Sequence, residues 1–336
     1  MNSREWLMEL RDAREKKAFP ILSFPVISLL DISVKELVKD SDSQSKGMKM
    51  VADRINSAAS VSMMDLSVEA EAFGCTPRFF DDEVPTVVGS LVTTLEEAKA
   101  LQIPKVGDGR TGLLINSIEK AKGLITDRPV LAGVIGPFSL AGRIMDVNEA
   151  FINCYAEPEM VHEILQKVVQ FSTEYINAYK AIGANGVVMA EPLAGMLSPD
   201  MEKEFSEPYV RQIIEATKDD NFLVMYHNCG DNTIQMIDSI LSVGADAYHF
   251  GNAINMKDML SRIPKDIIVM GNIDPSGQFN IGTPESIYNE TMALMTECCK
   301  EYPNFVISSG CDIPPSSPWT NIDAFFKAVD DYYAKA

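Results

Sequence analysis

Short apolar runs rich in β-branched residues alternate with amphipathic stretches along this chain. The runs read as strands near 21–27 (ILSFPVI), 60–66, 130–136, 186–191, 222–228, 246–251, 267–272 and 305–310. Between them, apolar residues recur at helical spacing. Val161, Ile164, Leu165, Val168, Ile176 and Tyr179 share one face, and Gly183 supplies the stop. Ile234, Ile237, Ile240 and Leu241 form a second stripe, ended by Gly244. A third carries Ile287, Leu294, Met295 and Cys298, with Thr283 as N-cap and Pro284 at the first helical position. A ninth apolar run at 85–92 suits a hairpin at the side. Eight buried strands alternating with helices predict a parallel (β/α)8 TIM barrel. A doubly wound open sheet is the other arrangement with this alternation, but no G-x-G-x-x-G phosphate loop is present. The first 20 residues, amphipathic and mixed in charge, add an N-terminal helical extension. No linker or low-complexity tract divides residues 1–336, so a single domain is expected.

Composition narrows the function classes. A chain of 336 residues, 46% hydrophobic, can bury a large core. Its 48 acidic residues against 29 basic ones leave a net charge of −19, which speaks against nucleic acid or an anionic membrane surface as partner. The N-terminus lacks the apolar core of an export signal, and no apolar run is long enough for a transmembrane helix, so the cytoplasm is the expected location. Six cysteines are too few for a disulfide scaffold; as reduced thiols they are available to a metal.

The chemistry concentrates where strands end. His227 and Cys229 close one strand in MYHNCGDNT, and Cys311 follows another in ISSGCDIPP. Residues i and i+2 of a strand point to one face, so His227 and Cys229 can reach a common point. An imidazole and two thiolates suit Zn2+, with the fourth position open for chemistry. Such a set is neutral around Zn2+, so an incoming thiol can bind as thiolate. Its two sulfurs weaken the metal as a Lewis acid, which favours thiol activation over hydrolysis. The competing reading is a hydrogen-bonded core histidine with two small buried cysteines. Glu191 ends the strand 186–191, either as a fourth ligand, as a group that orients the ligands, or as an ion-pair partner. Asp65 ends the strand 60–66, as a substrate contact at the barrel mouth or as the N-cap of the next helix. His249 ends the strand 246–251 and is a further candidate lining residue. Glu69 and Glu71 are expected to face solvent. In a (β/α)8 barrel, active sites sit at the C-terminal ends of the strands, where Asp65, Glu191, His227, Cys229 and Cys311 all fall.

Four segments carry a family resemblance: GPFSLAGRI at 136–144, EPLAGMLSPDMEKEFSEPYVRQI at 191–213, GNIDP at 271–275 and SSGCDIPPSSPWTNIDAFFKAV at 308–329. In this order and spacing the chain resembles the uroporphyrinogen decarboxylase superfamily over nearly its whole length, which implies the same barrel. True decarboxylases of that family carry an arginine-rich segment after the first strand; here the stretch reads SFPVISLLDISV, with no arginine. HNCG at 227–230 and GC at 310–311 are similar to the H-x-C…C zinc motif of methylcobamide:coenzyme M methyltransferases, as is MDLSVEAEAFG at 64–74. Carried over, the resemblance implies zinc on His227, Cys229 and Cys311, with Glu191 beside them. Asp65, His249 and Asn272 are the expected substrate contacts at the barrel mouth. The reaction implied passes a methyl group between a corrinoid cobalt and a zinc-activated thiolate. The corrinoid signature D-x-H-x-x-G is absent, so a separate corrinoid protein is the expected partner. Two alternatives stay open. One is transfer in the opposite direction, from a methylated small molecule to Co(I), which some relatives perform with a glutamate-containing zinc set; Glu191 and Glu207 lie upstream of His227. The other is decarboxylation of a porphyrinogen-like acid.

Overall fold

The apolar runs form a parallel sheet that curls into a barrel. The structure, a computed structural model, describes residues 2–335. Its strands are β1 (Ser60–Val61), β2 (Thr76–Arg78), β3 (Thr86–Val88), β4 (Val130–Ile135), β5 (Gly186–Ala190), β6 (Leu223–Asn228), β7 (Ala247–Phe250), β8 (Ile268–Ile273) and β9 (Phe305–Ser309). Seven are joined side by side in the order β1-β4-β5-β6-β7-β8-β9, all parallel. The run at 85–92 supplies β3, which pairs with β2 as an antiparallel hairpin outside the barrel.

The expected first strand, 21–27, needs correction. Phe24–Val26 is a 3-10 turn and Ile27–Leu30 a helical turn. Pro25 has no N–H to give a ladder and a fixed φ suited to the start of a helical turn. The eighth stave is instead the extended segment 18–21. Phe19 N–H donates to the Ile307 carbonyl of β9 at 3.0 Å, while the Ala18 carbonyl accepts from Ala58, just ahead of β1, at 2.8 Å. These bonds join the two edges of the sheet.

Strand parity sorts the core. Leu131, Val188, Leu223, Met225, Ala247, Ile268, Met270 and Val306 form an inner cluster. Their alternates, including Ala132, Val187, Val224, Tyr226, Tyr248, Val269 and Phe305, join the layer beneath the helices. The helix Pro158–Ala181 buries the stripe expected of it, from Val161 to Tyr179. Each such side chain contributes roughly 1.5–3 kcal/mol. The N-terminal helix Ser3–Asp12, capped by the Asn2 side chain, closes the bottom of the barrel. Its Trp6, Leu7 and Leu10 pack onto the inner cluster, and Arg4 N–H bonds the Asp220 carbonyl ahead of β6. Among the described residues, no helix is long and apolar enough to cross a membrane.

Candidate metal centre

The inward rows of the barrel turn polar at the mouth. Along β6 the row runs Leu223, Met225, His227; along β7, Ala247, His249; along β8, Ile268, Met270, Asn272; along β9, Val306, Ser308. His227 and His249 are register partners, as are Asn272 and Ser308. The backbone ladder continues one step past the strand ends. Glu191 N–H donates to the His227 carbonyl at 2.9 Å, Gly251 N–H to Asn228 at 3.0 Å, and Gly310 N–H to Ile273 at 2.6 Å. The loops that carry the cysteines therefore leave from a rigid rim.

Cys229 is set by its neighbours. The Asn228 side-chain oxygen accepts from Gly230 N–H at 3.0 Å and from the Thr233 hydroxyl at 2.8 Å, folding the loop back. A Cβ added to Gly251 would stand 2.5 Å from the Cys229 Cβ, a distance real Cβ atoms do not reach. Only glycine leaves Cys229 its place there.

One donor atom from each of His227, Cys229 and Cys311 lies within 4.8 Å of the others. The Cys311 sulfur is 3.5 Å from Nε2 of His227. Tetrahedral zinc holds its ligands about 3.3–3.8 Å apart, so a small inward movement would seat the ion. His227 is buried, while both cysteines are half-buried. A hydrogen bond from Cys311 lowers the Cys229 pKa below that of an ordinary thiol, against the opposing effect of burial. Giving that hydrogen bond, together with burial, pushes Cys311 up to about 12. Nδ1 of His227 faces away from the sulfurs, 2.8 Å from Nδ1 of His249. Burial, with His227 alongside, holds the His249 pKa well below the usual value.

The structure does not gather every residue the sequence nominates. Glu191 is fully buried and aims at the start of the helix Pro137–Met145. Its oxygens accept the N–H groups of Phe138 at 2.9 Å and Ser139 at 2.7 Å. A helix N-terminus is a natural seat for a carboxylate, and Glu191 stands outside the His–Cys–Cys group. Burial still pushes its pKa up to about 7. Asp65 accepts from Ser67 N–H at 3.1 Å and Ser67 hydroxyl at 2.6 Å, and pairs with Arg110. Asn272 gives both hydrogens of its amide, at 2.9 Å, to the carbonyls of Gly251 and Ile254 and so fastens the loop after β7. His249 has both ring nitrogens engaged inside the barrel.

Glu69 and Glu71 do not face open solvent as the sequence suggests. Glu69 is buried and accepts Ile135 N–H at 3.0 Å, with burial pushing its pKa up to about 7. Glu71 takes the Arg110 Nε–H at 2.6 Å. Arg110 is the main omission of the sequence reading. It arrives from a loop remote in sequence, completes its fork on Ser67 at 2.7 Å, and lies 4.9 Å from the Phe79 ring centre. Its local sequence, VGDGRTG, does not mark it, because its acidic partners Glu71 and Asp65 are remote in sequence. Asp312, next to Cys311, is a second omission: its Oδ2 accepts Met64 N–H at 3.3 Å, and its enclosed Oδ1 has no partner.

A family model described as uroporphyrinogen decarboxylase (URO-D) matches residues 28–332. Over 272 residues the chain is 25% identical to the methylcobamide:CoM methyltransferase MtbA of Methanosarcina acetivorans, covering 80% of this chain and 78% of that protein. Over 309 residues it is 26% identical to the uroporphyrinogen decarboxylase of Alcanivorax borkumensis, covering 88% and 85%. A solved methyltransferase structure from Methanosarcina mazei superposes over 99% of both chains, with a TM-score of 0.86 at 19% identity, a likeness of fold. The barrel, its closing stave and the matched span from residue 28 to residue 332 lead to one statement: the chain belongs to the uroporphyrinogen decarboxylase family.

Proposed function

We propose that this protein is a zinc-dependent methyltransferase that passes a methyl group from a corrinoid, carried by a separate protein, to a small thiol. The observation that carries the reading is the convergence of one imidazole and two thiol groups within 4.8 Å at the mouth of the barrel. The donor set fits zinc in kind, number and spacing. Bound by His227, Cys229 and Cys311, zinc would supply a neutral, sulfur-rich centre with an open position at which a thiol is held as its thiolate.

The chain's own part is placement. Cys229 and Cys311 are held half-buried beside His227, where both sulfurs can reach one ion. His227 turns Nε2 toward the sulfurs from a strand locked on both sides by the ladder. In the transfer itself, sulfur takes the methyl group as the cobalt–carbon bond breaks. The electron pair of that bond stays on cobalt, and the thiol proton passes to solvent. The relative that acts on coenzyme M makes coenzyme M, a small thiol, the first acceptor to test.

A decarboxylase would need free cations for a polyacidic substrate. The segment 23–34, SFPVISLLDISV, supplies no arginine, and Arg110 is matched by Asp65 and Glu71. The test is a Cys229→Ser/Cys311→Ser double variant. The wild type is expected to carry about one equivalent of zinc and to demethylate methylcobalamin in the presence of coenzyme M. The double variant should lose both while keeping its circular dichroism. Wild-type transfer rates in the variant would refute the proposal.

A further inference from the structure

We propose that His249 and Ser308 form a proton-ordered relay that fixes His227 in the one tautomer able to bind a metal through Nε2, and that Phe19, in the stave closing the barrel, anchors it. This deepens, and rests on, the reading of His227 as a zinc ligand.

The relay can be followed from its far end. The Phe19 carbonyl can only accept, and the Ser308 hydroxyl donates to it at 2.6 Å. That uses the one hydrogen the hydroxyl has. Ser308 Oγ can therefore only accept from Nε2 of His249, 2.8 Å away. His249 is buried, 1% exposed; Nε2 meets the Ser308 hydroxyl and Nδ1 meets His227, and no carboxylate is among its hydrogen-bond partners. Burial without an anionic partner keeps the ring neutral. With the hydrogen on Nε2, Nδ1 of His249 is a bare lone pair. The 2.8 Å contact to Nδ1 of His227 then requires His227 to be the donor. The His249 backbone carbonyl, 3.3 Å from the same Nδ1, can only accept and points to the same answer. His227 carries its hydrogen on Nδ1, and Nε2 presents its lone pair to the two sulfurs.

Metal-binding histidines commonly give their second N–H to a carboxylate or a backbone carbonyl. Here the principal acceptor is a second histidine, which could donate as easily as accept. Were His249 to carry its hydrogen on Nδ1, His227 would have to accept there and would turn an N–H toward the metal position. Ser308 removes that choice. His249 and Ser308 are thus positioning residues, and the bond they rely on exists because segment 18–21 lies against β9.

The chain has only three histidines, so the tautomers can be read directly. Histidine-selective 15N labelling and long-range 1H–15N correlation spectra of the metal-free protein should show His227 protonated on Nδ1 and His249 on Nε2. His249 protonated on Nδ1, or His227 on Nε2, would overturn the relay. Ser308→Ala should mix the two tautomers of His249 and weaken zinc binding, measured by chelator competition, by about tenfold to a hundredfold. Ser308→Thr, which keeps the hydroxyl, should restore both. An alanine variant with unmixed tautomers and unchanged zinc affinity would also overturn it. The spectra need no metal and no methyl transfer. A wild type with the expected tautomers but no zinc affinity would keep the relay and sink the proposed function; a zinc-binding, active wild type with the opposite His249 tautomer would do the reverse.

Discussion

At Gly251 there is room for a hydrogen and for nothing larger. The residue stands against Cys229 at a distance no Cβ tolerates, so Gly251→Ala must push the cysteine loop outward. The expected result is a folded protein whose zinc affinity falls by roughly tenfold or more, as when a supporting group of a metal site is lost. Chelator competition measures it, and an unchanged affinity would show that the loop has slack. Glu69 offers a second test at this scale. Its carboxyl is buried, with a pKa near 7 in the fold against 4.5 when free, so the folded state holds the proton more tightly. Glu69 therefore costs no stability below about pH 4.5. Its penalty grows as pH rises toward about 7, to about 3 kcal/mol. Glu69→Gln should gain stability relative to the wild type from pH 5 to pH 8 by urea unfolding; parallel pH profiles would contradict this. The sequence did not reveal this residue because an acid in a short helix looks solvated, and only the packing of that helix against β4 shows otherwise. The convergence of His227, Cys229 and Cys311 was legible because residue type and strand-end position bring them to one point. The role of Ser308 was not, because a serine in an apolar strand has no signature until its partners are known.

At the scale of elements, parity explains how much could be read. A strand with inward and outward rows places every second residue, so His227 follows from Leu223 and Met225. The stave nearest the N-terminus was misplaced because its apolar residues run on through Pro25 into a helical turn. The real stave, 18–21, is short and is defined by hydrogen bonds to β9 and to the residue before β1, which no local pattern announces. The helix Ser3–Asp12 is amphipathic in sequence, and its apolar face has a definite task in closing the barrel floor. Trp6→Ala should lower stability by about 3 kcal/mol, as for other buried aromatics cut to alanine. The zinc content of the folded fraction should not change, because the helix lies at the opposite end from the cysteines. Loss of zinc in that variant would mean that floor and mouth are coupled.

For the whole molecule, the proposed reaction would require the mouth to admit a corrinoid protein as well as a small thiol. Met196 and Ile281 stand 60% and 79% exposed on the loops that follow β5 and β8, on the same rim as the metal centre. Both would lie within reach of a protein that docked over the mouth. Met196→Glu with Ile281→Glu should slow transfer from a methylated corrinoid protein and leave transfer from free methylcobalamin unchanged. Equal slowing with both donors would place these residues in the site rather than in the docking surface. The central claim, that His227, Cys229 and Cys311 act through zinc on a thiol, is met most directly by one measurement: the change in the cobalamin spectrum as methylcobalamin loses its methyl group to coenzyme M. The account predicts that the reaction stops in chelator-treated protein and returns with about one equivalent of zinc. Full turnover by the metal-free protein would contradict it.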